Sequence, residues 1–215
     1  MGLDAEKRLA AEAATELVED GMVLGLGTGS TVGHLLTALA ARGLDVRCIA
    51  TSPATESAAH ELGLRVESFA GPNAPARLDL AIDGADQVDA NRWLVKGGGG
   101  AHTREKAVAA AAERFVVIVD SSKLVERVAP PVPLELSEFG LAATLQRLGA
   151  VELRGVERSP DGGVIADYTG SFGNARDLAA RLAAEPGVVE HGLFPPDLVS
   201  DVVVAMGNSV ELRGR

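Results

Sequence analysis

The sequence predicts an α/β fold in which a mainly parallel sheet carries helices on both faces and a smaller α+β domain is inserted near the end of the chain. Three observations predict it. Apolar strand-like runs alternate with helix-periodic stretches through the first half of the chain, the pattern of successive β-α-β units. From about Val132 the order becomes β-α-β-β-α-β, the ferredoxin-like unit. The apolar tail "DVVVAM" reads as one more strand that returns to the first sheet. The expected division is therefore 1–128 with 200–215 for the larger domain and 129–199 for the smaller.

The first helix lies in "LDAEKRLAAEAATELVED", where Leu9, Ala13 and Leu17 recur at helical spacing. "MVLGL" is a buried strand that runs into a glycine-rich turn, and a helix follows from about Ser30. "VRCIA" is the next strand. A helix in "SPATESAAHEL" opens with Ser52 as its cap and Pro53 in the first turn, where the N–H that proline lacks has no intrahelical acceptor anyway. "RVESF" and "LDLAI" are strands; after the glycine run a helix through "REKAVAAAAER" leads into the strand "FVVIV". In the smaller domain "VPLEL" is a strand, and "SEFGLAATLQRLG" is a helix capped by Ser137. "AVELRGVE" and "GVIADYT" are strands joined by the turn "RSPDGG", "NARDLAARLAAE" is a helix and "VVEHGLF" a strand.

With 215 residues the chain can hold one large domain, or a medium one with a smaller partner. Its 47% hydrophobic and 23% charged residues are those of a globular protein. No apolar run approaches the roughly 20 residues that cross a bilayer, and the N-terminus lacks the basic flank and apolar core of a signal peptide. A soluble protein is expected, with no membrane partner. The single Cys48 excludes an intramolecular disulfide, which fits a reducing cytoplasm, and within "VRCIA" it reads as a small buried hydrophobe. The formal net charge of -10 argues against nonspecific nucleic-acid binding, because a phosphate backbone demands clustered Lys and Arg. Any anionic ligand must be held by a local site.

Four stretches could carry chemistry, and three of them follow successive or neighbouring strands, at the strand ends where ligands gather in such sheets. "GLGTGSTVG", from Gly25 to Gly33, joins a strand to a helix, so free backbone N–H groups and the helix dipole favour an anion at Gly29, Ser30 and Thr31, with Thr28 adding a hydroxyl. The dinucleotide fingerprint fails, since Ser30 stands where its third glycine should be, and the Walker lysine is missing. A phosphate monoester fits better than NAD or ATP; a tight turn that needs only glycine is the alternative. "TSPATES" could line the same cleft with hydroxyls, although ordinary helix capping explains it. "AIDGADQVD" ends a strand with Asp83 and Asp86, carboxylates able to orient sugar hydroxyls or move protons during ring opening; an Asp-Gly turn competes. A metal site there is disfavoured, as the four histidines show no ligand spacing. In "LVKGGGGAHTREK", glycines allow close backbone approach, Lys96 offers a positive charge, and Thr103 could cap a helix whose first turn holds Glu105. A helix N-terminus keeps such a carboxylate ionised and available as a base, while a flexible loop with a dipole-favoured Glu is the plain alternative.

"GLGTGSTV", "TSPATES", "DGADQVD", "KGGGGAHTREK" and "DSSKLVE" resemble, in order and approximate spacing, the type A ribose-5-phosphate isomerases. The likeness extends to "PPVPLEL", "PGVVEHGLF" and "DVVVAMG" and so covers most of the chain. It implies a Rossmann-like domain with a smaller α/β domain, and a cytoplasmic, metal-independent isomerase without a cofactor that interconverts ribose 5-phosphate and ribulose 5-phosphate as a homodimer or homotetramer. Matched motif by motif, Glu105 looks like the base that takes the C2 proton and returns it at C1. Lys96 with Gly97, Gly98 and Gly99 would stabilise the enediolate oxygens. Asp83 and Asp86 resemble the pair that holds the hydroxyls and assists ring opening. The phosphate would sit on Gly29, Ser30 and Thr31, with Lys7 and Lys123 supplying charge and Thr28 flanking the sugar.

The chain departs from the family pattern at Gln87, where an acidic residue is usual, and at Ser159–Gly163, "SPDGG", where "TDNGN" is frequent. An extra glycine in the Gly97–Gly100 run is a third expected departure. A non-enzymatic sugar-phosphate sensor would tolerate loss of the base, but Lys96, Glu105, Asp83 and Asp86 are all present. Coenzyme A transferases, with a similar fold and a glutamate nucleophile, match the phosphate-loop and "DGAD" motifs less well. An isomerase of another aldose phosphate stays open, since small changes in hydroxyl contacts can switch preference.

Overall fold

A computed structural model describes residues 2–214. Along the chain run α1 (Leu3–Thr15), β1 (Val23–Leu26), α2 (Ser30–Arg42), β2 (Arg47–Ala50), α3 (Pro53–Glu61), β3 (Arg65–Val66), β4 (Leu78–Asp83), β5 (Gln87–Asp89), β6 (Leu94–Val95), α4 (His102–Ala111) and β7 (Ala112–Asp120). A 3-10 turn, Ser121–Lys123, leads to β8 (Leu124–Val125), β9 (Val132–Leu136), α5 (Leu141–Leu148), β10 (Val151–Leu153), β11 (Val164–Tyr168) and α6 (Ala175–Ala183). The chain ends through β12 (Val188–His191), β13 (Leu193–Phe194), β14 (Asp201–Met206) and β15 (Ser209–Gly214). Two compact units result: one holds the residues up to Ala85, Arg104–Leu124 and those from Asp197, the other Asp86–Thr103 and Val125–Pro196.

In the first unit a seven-stranded sheet has the order β15-β14-β7-β4-β1-β2-β3 and is parallel except for β15. Its buried runs, such as Phe115 to Val119 in β7, are continuous rather than alternating, as a sheet covered on both faces requires. The tail does return: β14 pairs in parallel with β7. α1 buries Ala10, Ala11 and Ala14, whereas Leu9 and Ala13, with Leu17 beyond the helix end, sit only at the edge of the core. Alanine on the inner face lets the helix approach closely. It stops at Thr15, five residues before the expected end, because Arg42 Nη1 donates to the carbonyls of Thr15 and Val18 and terminates the last turn. The helix expected through Arg114 ends at Ala111, since β4 pairs with Ala112 and Arg114 and draws these helix-forming residues into the sheet. Cys48 is fully buried, and burial pushes its thiol up to about 12, so it is an inert core group.

In the second unit the four-stranded antiparallel sheet has the order β10-β11-β9-β12, which a β-α-β-β-α-β chain adopts when each helical crossover skips one strand. Ser137 does not cap α5: its N–H donates to Gly187 O, and the helix starts only after Gly140, which takes a left-handed φ of 76°. "VVEHGLF" is two strands. Gly192 N–H donates to Pro133 O, and Gly192 O accepts from Lys96 N–H, so the chain leaves β12 at this glycine. A Cβ there would overlap the Lys96 carbonyl. β13 then joins a second sheet, β13-β6-β5-β8. This sheet takes residues 86–103 into the second unit, whereas the sequence reading kept everything to 128 in the first. Its strands are two or three residues long around the glycine run, too short to register as a period. Among the described residues no helix is long and apolar enough to cross a membrane.

Candidate active site

In the first unit Lys7, Thr28 and Asp83 are tied to the loop where β1 meets α2. Gly29, at a φ of 120°, makes the turn, and α2 begins at Ser30 with no side chain capping it. The N–H groups of its first turn therefore have no intrahelical acceptor and face outward with the positive end of the helix dipole. Lys7 Nζ, from α1, donates to Ser30 Oγ at 3.1 Å. The neighbouring Glu6 is 6% exposed and accepts from Ser121 N–H and Oγ, at 2.9 and 2.7 Å, and from Gly207 N–H at 2.8 Å. Those bonds fix the 3-10 turn that carries Lys123, and they hold the Glu6 carboxyl below its ordinary range, the Ser121 hydroxyl contributing most.

Asp83 ends β4, is 3% exposed, and accepts from Thr28 N–H at 3.1 Å and Gly84 N–H at 2.7 Å. A Cβ on Gly27 would overlap its carboxylate, so the glycine is what lets Asp83 lie against the loop. Behind the loop stands a hydroxyl network. Thr28 Oγ1 is 2.9 Å from Thr51 Oγ1, and Thr55 Oγ1 donates to Gly27 O at 2.8 Å. Ser52 caps α3 as expected, accepting from Thr55 N–H. "TSPATES" thus caps α3, and its Thr51 and Thr55 hydroxyls brace the Gly27–Thr28 loop from behind. Glu105 lies in the first turn of α4 and is 5% exposed.

In the second unit Lys96, 3% exposed, follows β6 with its ammonium 5.5 Å from the Phe194 ring centre. Gly97 and Gly100 take φ values of 103° and 73°, which glycine alone adopts freely, and Gly100 N–H donates back to Gly97 O. Asp86 Oδ2 accepts from Gly98 N–H at 2.8 Å. Asp83 and Asp86, paired in the sequence reading, thus belong to different units and hold different loops. Thr103 does not cap α4 but lies within it, and its hydroxyl donates to the buried Glu135 carboxylate. Ser159 donates to the other oxygen of Glu135 and accepts from Gly163 N–H, so the divergent "SPDGG" hairpin serves as a brace for Thr103. Gln87 explains its own departure: it donates to Ala129 O at 2.9 Å and accepts from Ala129 N–H at 2.8 Å, and a carboxylate could only accept. Two residues were missed, Glu6 and Arg154. No motif marks them; a charged residue on the core side of α1 was the only signal for Glu6.

The model of the family described as Ribose 5-phosphate isomerase A (phosphoriboisomerase A) matches residues 47–209. The Ribose-5-phosphate isomerase A of Halobacterium salinarum is 46% identical, the alignment covering 97% of this chain and 95% of that one. Among solved structures, ribose 5 phosphate isomerase A from Neisseria gonorrhoeae superposes with a TM-score of 0.93 at 32% identity, over 99% of this chain and 97% of that one. A D-Ribose-5-Phosphate Isomerase in complex with phospho-erythronic acid gives 0.92 at 33% identity, over the full length of both.

Proposed function

The chain belongs to the ribose 5-phosphate isomerase A family, and from that premise we propose how its residues interconvert ribose 5-phosphate and ribulose 5-phosphate, a reaction of the pentose phosphate pathway. Glu105 is the base: it takes the proton from C2 of the open-chain aldehyde and returns it at C1. In between, negative charge develops on the C1 oxygen of an enediolate, and Lys96 with the amides of Gly97 and Gly99 stabilises it, while the Gly98 amide is engaged by Asp86. Moving the hydroxyl proton from O2 to O1 completes the ketose. Asp83 and Asp86 hold the sugar hydroxyls and exchange protons with the anomeric hydroxyl and the ring oxygen when the furanose opens. The phosphate lies on Gly29, Ser30 and Thr31 with Lys7 and Lys123, and Thr28 flanks the sugar.

One observation carries this reading: Lys96 and Glu105, at the two ends of the glycine run, are 3% and 5% exposed. Charged side chains are costly to remove from water, and a buried cation and a buried carboxylate at the two ends of one glycine run supply the oxyanion stabiliser and the base that proton transfer between adjacent carbons requires. A cytoplasmic enzyme acting as a homodimer or homotetramer is the accompanying proposal, in keeping with the lone buried Cys48.

The test is conversion of ribose 5-phosphate by the purified protein in excess chelator, beside Glu105→Gln. Fast conversion by the wild type and a loss of at least about 10³-fold in the variant are expected, since general-base catalysis contributes 10² to 10⁴. A folded variant with substantial turnover removes Glu105 from the role. An inactive wild type that binds the sugar phosphate favours a sensor, and activity on a different aldose phosphate changes the substrate alone.

A further inference from the structure

Glycine has no side chain by which to fix itself and the largest backbone freedom to lose, yet donors aimed at a developing charge must be held in place beforehand. Something must hold the four glycines. Arg154, just after β10, uses both edges of its guanidinium. Nε and Nη2 donate to Asp167 Oδ2 and Oδ1 at 2.7 and 2.6 Å, while Nη1 donates to Gly97 O at 2.8 Å and Gly98 O at 3.1 Å. The pair with Asp167 alone would account for an ordinary cross-strand contact on β11. It does not account for the two carbonyls.

A trans peptide directs its C=O and N–H to opposite sides. With the Gly97 carbonyl on Arg154, the Gly98 N–H faces away, and there it meets Asp86 Oδ2. By the same geometry the Gly98 carbonyl sets the direction of the Gly99 N–H, which donates to no protein acceptor among the described residues. We infer that Arg154, oriented by Asp167, is a positioning residue of this isomerase, clamping the Gly97 and Gly98 carbonyls so that the Gly99 N–H is presented to the enediolate oxygen. A lysine could not do this, since one ammonium cannot hold a carboxylate in a bidentate fork and span two carbonyls as well.

This inference rests on the isomerase reading, so wild-type turnover of ribose 5-phosphate is the first control: if it is absent, that reading fails and not the clamp alone. With an active wild type, Arg154→Ala lowers kcat about 10- to 100-fold, the cost of misplacing a reacting contact by about 1 Å, and leaves KM nearly unchanged. Affinity for phospho-erythronic acid, whose carboxylate places anionic oxygens where the enediolate has them, falls in parallel. Affinity for inorganic phosphate stays. Arg154→Lys and Asp167→Asn keep charge or shape at the site and lose part of kcat, and added guanidine restores part of the turnover of Arg154→Ala. Should Arg154→Ala fail to fold, the other two variants decide. Wild-type kcat in any folded Arg154 variant, or a change in KM alone, overturns the inference.

Discussion

Asp83 occupies the space that a side chain on Gly27 would need, and so a glycine that looks like phosphate-loop punctuation is also half of a carboxylate site. Gly27→Ala should force Asp83 off Thr28 N–H and Gly84 N–H, at an overpacking cost of about 1–3 kcal/mol. Thermal unfolding should move down, and kcat/KM should fall at least about tenfold, the scale of a displaced catalytic contact. Wild-type turnover in the variant would mean that the carboxylate can relocate without consequence. The need for glycine at this position was legible in "GLGTGS"; its reason was not, because the partner arrives from a strand more than fifty residues later. Gln87 and the "SPDGG" hairpin teach the same lesson from the other side. As departures from a pattern they looked like losses, and each proves to be satisfied by a partner, Ala129 or Glu135, that only the folded chain supplies.

At the scale of an element, α1 joins separate parts of the first unit through two adjacent residues. Glu6 turns inward to the 3-10 turn and the β14–β15 hairpin, while Lys7 reaches the start of α2. Because folding lowers the Glu6 carboxyl below its ordinary value of 4.5, its contribution to stability is full above that value and is lost as pH falls through the lower folded value. Glu6→Gln replaces one acceptor by a donor facing N–H or O–H groups. The variant should melt lower at neutral pH and lose less further stability on acidification, which unfolding curves taken from neutral pH down to about pH 3 would register. Equal acid sensitivity in the two proteins would assign the effect to other carboxylates. The larger elements were legible because their periods are long enough to read, as in α2, α3 and the buried strands β1, β4 and β14. β5 and β6 were not, being two or three residues long and defined by pairing alone, and β13 was legible as a strand but not as separate from β12. β15 is a different miss: Gly207-Asn208 is a two-residue hairpin signal, and it stood in the sequence.

For the whole molecule the governing quantity is charge. A net charge of -10 repels a doubly negative sugar phosphate at long range, whereas under the proposed assignment Lys7 and Lys123 would attract it locally. The acidic balance was legible at once, and it placed the burden of binding on a local site; that Lys7 bonds Ser30 depended on the packing of α1 against α2, which composition does not encode. Salt weakens both fields, with a screening length of about 8 Å at physiological ionic strength. The two changes oppose one another, so KM of the wild type for ribose 5-phosphate should vary little with sodium chloride. Removing the lysines removes the attraction only. A Lys7→Ala, Lys123→Ala variant should show a higher KM, about fivefold for each charge if a contact in water is worth about 1 kcal/mol. Its KM should then fall as salt is added, because repulsion is all that remains to be screened. Steady-state kinetics across a salt series checks the sign: a KM that rises with salt in the variant would place the phosphate on other cations and remove both lysines from the site.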